Sequence, residues 1–125
     1  MQEAGLPVDI IYSSGDISKN EVFFNNELEK RIPDVALVVR DSMAISFMNV
    51  ATRKGIKVPE QFQIIGMQNT RYAILSNPKL TCTEIPIYEM GNRAMSYLTE
   101  LMRNEESKGQ KILLPYSIVW RESTK

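Results

Sequence analysis

Val35-Ala36-Leu37-Val38-Val39-Arg40-Asp41-Ser42-Met43-Ala44 sets an unbroken block of β-formers directly against the opening of a helical pattern. A strand that is apolar at every position, and not at every second one, needs burial on both faces, the condition of a strand inside a parallel sheet. The helix that follows starts near Asp41, whose carboxylate can cap free amides at the positive dipole end, and it stops at Gly55 with Pro59 beyond. Its apolar residues, Met43, Ala44, Ile45, Phe47, Met48, Val50 and Ala51, exceed the single stripe of a one-sided surface helix. Two readings stay open: a helix buried deep in its own chain, or one stripe on the sheet and a surplus turned to a partner subunit.

Working outward, Val8-Asp9-Ile10-Ile11-Tyr12 and Phe62-Gln63-Ile64-Ile65 read as two further strands. Ser18-Lys19-Asn20-Glu21 has capping-box form, with Ser18 accepting from the third helical amide and Glu21 reaching back. A helix over about 18–31, closed by Pro33, follows from it. Met90, Ala94, Met95, Leu98, Leu101 and Met102 repeat at helical spacing over about 87–104. That stripe is expected in the core, since methionines at helical spacing pack more often than they line an adaptable groove. Glu105-Glu106-Ser107-Lys108-Gly109 reads as a polar loop before the strand-like Ile112-Leu113-Leu114 and Ser117-Ile118-Val119-Trp120. Strands alternating with helices make βαβ units, so the class is α/β with a parallel or mixed sheet.

Composition narrows the chemistry. The 125 residues, 43% hydrophobic and 24% charged, suit one globular domain. Fifteen basic residues cancel fifteen acidic ones, which leaves no positive field of the kind that holds a phosphate backbone. There is no histidine, so the commonest general base and the usual nitrogen ligand of zinc are both missing. No metal site and no cofactor is expected: the six glycines are scattered, without a phosphate-cradling loop or a dinucleotide fingerprint. Glu105-Glu106 reads as a solvated pair, and the single cysteine, Cys82, as a small buried hydrophobe. Binding is expected, and catalysis is not. Met1 to Gly5 holds no basic and apolar export signal, and no apolar run is long enough to cross a membrane. Glu3-Ala4 followed by Gly5 and Pro7 reads as the end of a helix, so further residues are expected before Met1.

Three strings, Val38-Val39-Arg40-Asp41-Ser42-Met43-Ala44, Gly55-Ile56-Lys57-Val58-Pro59-Glu60 and Ile64-Ile65-Gly66-Met67-Gln68-Asn69-Thr70, together resemble the last third of lactose-repressor/galactose-repressor family transcription regulators. Asn77-Pro78-Lys79-Leu80-Thr81-Cys82-Thr83, Met90-Gly91-Asn92-Arg93-Ala94, Leu113-Leu114-Pro115 and Trp120-Arg121-Glu122-Ser123-Thr124 continue the series in register. The resemblance implies a type I periplasmic-binding-protein-like fold, a parallel-sheet sandwich of two α/β subdomains with a small effector between them. On it, residues 1–125 are the C-terminal part of the effector-binding and dimerisation domain, mostly the C-terminal subdomain. The helix over about 87–104 crosses to an N-terminal subdomain that the chain lacks, and the DNA-binding headpiece is absent. A cytoplasmic regulator is implied, meeting operator DNA only through that headpiece. The alternative is a transport-type periplasmic sugar-binding protein of the same fold.

The resemblance also implies site residues, at the C-terminal ends of strands where open α/β sheets place ligands. Ile17, after Gly15-Asp16, stands where the family often has an aromatic platform. Arg40 stands where an asparagine often precedes the helix-opening Asp41, and Gln68-Asn69 stands where a carboxylate is usual. Loss of a ring face and a carboxylate, with gain of a guanidinium, points to an anionic effector such as a sugar phosphate, met by Arg40 with Gln68 and Asn69. The other reading is that Arg40 pairs with a nearby acid and the site has decayed. For Asp41, helix capping is favoured over ligand contact. The implied homodimer face comprises the helix over 41–55 and the stretch 71–76, with Ile45, Met48, Tyr72 and Leu75. One branch of the family also receives a phosphocarrier protein on the helix over 87–104; Arg93 and Arg103 are present there, but Ser96 stands where that branch has an arginine.

Overall fold

Residues 41–56 show how local chemistry shapes this chain. Helix α2, Asp41–Arg53, ends in Lys54, after which Gly55 takes a positive φ of 76°. The Gly55 amide donates to Thr52 O at 2.9 Å and the Ile56 amide to Ala51 O at 3.0 Å, the two bonds of a Schellman stop. Ile56 then folds back into the core. The computed structural model describes Gly5, residues 7–103 and residues 111–125, with Ile17 described by its backbone alone. The expected helix end over residues 1–4 and the Glu105-Glu106 loop lie outside the described residues.

The described elements run α1 (Ile17–Lys30), β1 (Val35–Val38), α2, β2 (Gln63–Gly66), α3 (Arg71–Leu75), β3 (Thr81–Glu84), α4 (Ile87–Met102) and β4 (Ser117–Val119). The sheet order is β1-β2-β3-β4. The first three strands are parallel, with Ala36 beside Ile64 and Gly66 beside Cys82, and β4 returns antiparallel along β3. The expected parallel or mixed sheet is therefore present, with one antiparallel edge.

One face of the sheet carries the core. Phe24 and Leu28 of α1 and Phe47 and Met48 of α2 pack with Ile64, Leu80 and Cys82. Phe24 stacks on Phe47 with ring centroids 4.4 Å apart, and Phe47 meets Phe62 edge to face at 4.9 Å. Helix α2 packs on β1 and β2 and against α1, and seven of its residues are buried while Ile45 is only partly so. The opposite sheet face has no helix on it among the described residues, and Val35, Leu37 and Ile118 stay exposed there.

Three local expectations change. Asp16, not Ser18, caps α1: its Oδ1 accepts from the Ser18 amide at 3.0 Å and from the Ser18 hydroxyl at 2.6 Å, while Glu21 reaches Arg53 at 2.7 Å. A carboxylate two residues earlier outcompetes the hydroxyl as the cap of this helix. Residues 8–12 and 112–114 form no strand. Helix α4 forms as expected but buries none of its residues, so its stripe is not core. Met90, Met95 and Leu98 remain 49–62% exposed.

Candidate functional site

Parallel pairing of β1 with β2 brings the C-terminal ends of both strands together, and Asp41 sits at that junction wholly buried. Its carboxylate does not cap α2, whose N-cap is Arg40 without a side-chain bond. It turns to the loop after β2, where Oδ2 accepts from the Thr70 amide at 2.6 Å and the Thr70 hydroxyl at 2.8 Å, and Oδ1 from the Gln68 amide at 3.2 Å. Three fixed donors satisfy the carboxylate better than the solvated end of its own helix would. Asp41 is a brace for the loop, and a ligand has no access to it. A Cβ at Gly66 would fall on Asp41 Oδ1 and within 3.0 Å of Cys82 Sγ, so only glycine leaves the carboxylate its place. Burial, reinforced by the charge of Asp41, pushes the Cys82 thiol up.

The braced loop forms one wall of an open hollow of about 680 Å³. Gln68 and Asn69 stand on that wall, Glu84 to Glu89 leave β3 along another, and Pro115, Tyr116 and Ser117 bring the chain back into β4. The segment leaving β3 and the one entering β4 therefore border one cavity. Asn69 takes a left-handed φ of 48°, a conformation that asparagine tolerates. Its Oδ1 accepts from Arg121 Nη2 at 2.6 Å and its Nδ2 donates to Glu84 Oε1 at 3.2 Å. Arg121 also donates to Leu80 O at 2.6 Å, so the guanidinium pins the β2 loop to β3. Next to it, Ser123 Oγ accepts from the Thr81 amide at 2.8 Å and donates to Ile64 O at 2.6 Å, locking the chain end between two strands.

The expected site residues divide. Gln68 is exposed on the hollow, and Asn69 lines it with its amide already engaged. Arg40 is not among the lining residues; its guanidinium reaches toward Gly15, whose ideal Cβ position is 3.9 Å from Nη1. Arg40 follows β1, the edge strand, while this hollow opens over β2, β3 and β4, so Gln68 lines it and Arg40 does not. The Ile17 side chain lies outside the described residues. Reading the sequence missed Glu84, Tyr88, Tyr116 and Arg121. Only the match of the chain's last residues to the family pattern hinted at Arg121, and nothing local marks the other three.

Of the residues expected at a dimer face, Tyr72 is 51% and Leu75 77% exposed on α3, and Ile45 is partly buried against the core. Met48 has no accessible surface and cannot touch a partner. It sits on the side of α2 that packs into its own chain.

The model of the periplasmic binding protein-like domain matches residues 1–124. Catabolite control protein A of Staphylococcus epidermidis is 33% identical over 117 residues, which cover 93% of this chain and 36% of that protein. The structure of the transcription regulator CcpA of Lactococcus lactis superposes with a TM-score of 0.84 at 30% identity, covering 99% of this chain and 46% of that one. The lac repressor dimer bound to operator and an anti-inducer superposes with a TM-score of 0.77 at 26% identity, over 87% of this chain and 38% of that one. The chain thus spans less than half the length of these relatives. The braced loop, the hollow at the strand tips and the match along residues 1–124 agree: the chain belongs to the periplasmic-binding-protein-like domain family, with lactose-repressor-type transcription regulators as its relatives.

Proposed function

We propose that residues 1–125 are the effector-sensing and dimerisation part of a bacterial regulator of the lactose-repressor type, and do no bond-making chemistry. The observation that carries this reading is the hollow bordered at once by the loop after β2 and by both segments that leave and re-enter the sheet. A small molecule held there touches the hinge of the fold, so its binding free energy is coupled to the orientation of whatever α4 leads to. The walls offer the amide of Gln68, two tyrosine rings and the carboxylates of Glu84 and Glu89, with no cation among the lining residues. That chemistry suits a neutral, sugar-like effector, with hydroxyls for the polar groups and a ring face for an aromatic one, and it disfavours the anionic effector that Arg40 had pointed to.

In this reading the dimer face is Tyr72, Leu75 and Ile45, on α3 and the outer side of α2. Operator contact belongs to a headpiece beyond these residues, in the cytoplasm. A phosphocarrier partner is not part of it, since Arg93 is ion-paired to Glu89 at 2.9 Å and Ser96 occupies the matching position. Titration with cellobiose and with glucose 6-phosphate, followed by backbone amide shifts, tests the site. Cellobiose is expected to move Gln68, Asn69 and Tyr116; shifts at Arg40 with the phosphate alone would restore the anionic reading.

A further inference from the structure

The walls of the hollow carry two carboxylates, and their surroundings differ. Glu89 is ion-paired with Arg93 of its own helix at 2.9 Å. Glu84 ends β3 and forms no salt bridge among the described residues; neutral donors hold its oxygens. Asn69 Nδ2 donates to Oε1 at 3.2 Å, and the hydroxyl of Ser117, opposite Glu84 in the antiparallel register, donates to Oε2 at 3.5 Å. A carboxylate has about four acceptor positions, so two donors leave roughly half of them open to the hollow.

The orientation of the Asn69 amide is fixed by its neighbours. Its Oδ1 lies 2.6 Å from Arg121 Nη2, and a guanidinium can only donate; its Nδ2 faces Glu84, and an ionised carboxylate can only accept. A flipped amide would set donor against donor and acceptor against acceptor. Arg121 is itself anchored, through Nη1 to Leu80 O at 2.6 Å and through its own amide to Thr81 Oγ1 at 2.8 Å. The sequence of contacts from Arg121 through Asn69 therefore holds the Glu84 carboxylate at the wall without neutralising it. An aspartate in place of Asn69 would satisfy Arg121 and repel Glu84, whereas the amide satisfies both.

We infer that Glu84 is the specificity-determining residue of the hollow. Its open oxygens accept from two hydroxyls on neighbouring carbons of a neutral, sugar-like effector, and Asn69 and Arg121 are its positioning residues. This rests on the effector-sensing reading above. Hydrogen bonds to an ionised acceptor are about twice as strong as neutral ones, so a diol gains most from a carboxylate whose charge no cation offsets. Gln68, exposed on the same hollow, offers only a neutral amide. A phosphate or carboxylate ligand meets the Glu84 charge as repulsion.

The test titrates the 125-residue chain with ribose, lactose and cellobiose, follows backbone amide shifts, and repeats the titration on three variants. In the unsubstituted chain at least one sugar is expected to move the amides of Gln68, Glu84 and Ser117. Glu84→Gln keeps the shape of an exposed side chain and is expected to weaken that sugar's binding about tenfold. Asn69→Asp is expected to weaken it by about the same factor, with a urea midpoint no lower than the parent's, because the introduced carboxylate pairs with Arg121. Combining Asn69→Asp with Glu84→Gln reverses the polarity of the contact, so that position 84 donates and position 69 accepts. A merely structural contact would be rescued by that reversal, and binding with it. Here the midpoint is expected to match the parent's while binding stays about tenfold weaker. Parent-like binding by Glu84→Gln or by the combined variant overturns the inference and leaves effector sensing standing. No shift at these amides with any of the three sugars overturns both.

Discussion

The buried carboxylate of Asp41 holds Thr70 twice, through its amide at 2.6 Å and its hydroxyl at 2.8 Å, across 29 residues of sequence. This contact closes the loop that carries Gln68 and Asn69 into the hollow. Asp41→Asn keeps the shape but turns an acceptor into a donor facing donors. An unfolding free energy lower by about 3 kcal/mol is expected in urea, the cost of a lost charge-assisted contact plus an unpaired buried group. A change below about 0.5 kcal/mol, the level of an ordinary surface substitution, would show that the brace is dispensable.

Gly66→Ala acts on the same brace from the other side. The methyl group would meet Asp41 Oδ1 and lie 2.9 Å from Leu80 Cδ2, neither of which has room to retreat. Overpacking of this kind costs about 2 kcal/mol. Calorimetric melting of the variant checks it, and Gly91→Ala, with open space at its Cβ position on exposed α4, is the control, expected to gain up to about 1 kcal/mol from helix propensity.

Asn20 offers a change in the opposite direction. It is fully buried in α1, its Nδ2 meets only the weak acceptor Met43 Sδ at 2.8 Å, and its Oδ1 has no partner. Asn20→Leu removes an unsatisfied buried carbonyl and adds apolar contact. A gain of about 1 kcal/mol is expected by chemical denaturation; a loss would mean that the site has no room for the branched side chain.

Two surface glutamates, Glu29 and Glu122, contribute to the acid limb of stability. The Lys54 ammonium, hydrogen-bonded to Glu29, and the Lys79 amide, donated to Glu122, hold both carboxyls below the usual glutamate range. A depressed folded pKa means that the unfolded chain takes up the proton first. The contribution is therefore present above the ordinary glutamate range and is lost as pH falls through the lower folded values. Lys54→Met is expected to flatten the melting temperature's fall on that limb, measured by pH-stepped calorimetry, and to leave the basic limb as it was.

Helix α4 buries none of its residues among the described ones, so its apolar stripe should govern association. Concentration-dependent self-association is expected in static light scattering, and Met95→Lys combined with Leu98→Lys should abolish it. Folding stability should move by less than about 0.5 kcal/mol for each, as at surface sites. A monomer at high concentration in the unsubstituted protein would contradict this.

What the sequence determined by itself was everything that a short window encodes. The unbroken apolar block at 35–39 announced a strand of a parallel sheet, the pattern after Asp41 announced α2, and Gly55 announced its stop. These signals are local because backbone propensity and hydrophobic period act within a few residues. Six or more strings in register also made the family legible. The tertiary structure alone decided the roles of side chains whose partners lie far along the chain. Capping and bracing look the same for Asp41 in the sequence, and only the register of β1 on β2 put Thr70 within its reach. Met48 could not be assigned to core or surface until α1 closed over α2. Tyr116 entered the hollow only because β4 runs back along β3, and Arg40 left it because β1 is the far edge. Strand order and register are set by the summed burial of a whole sheet, and no single segment of the chain carries that sum.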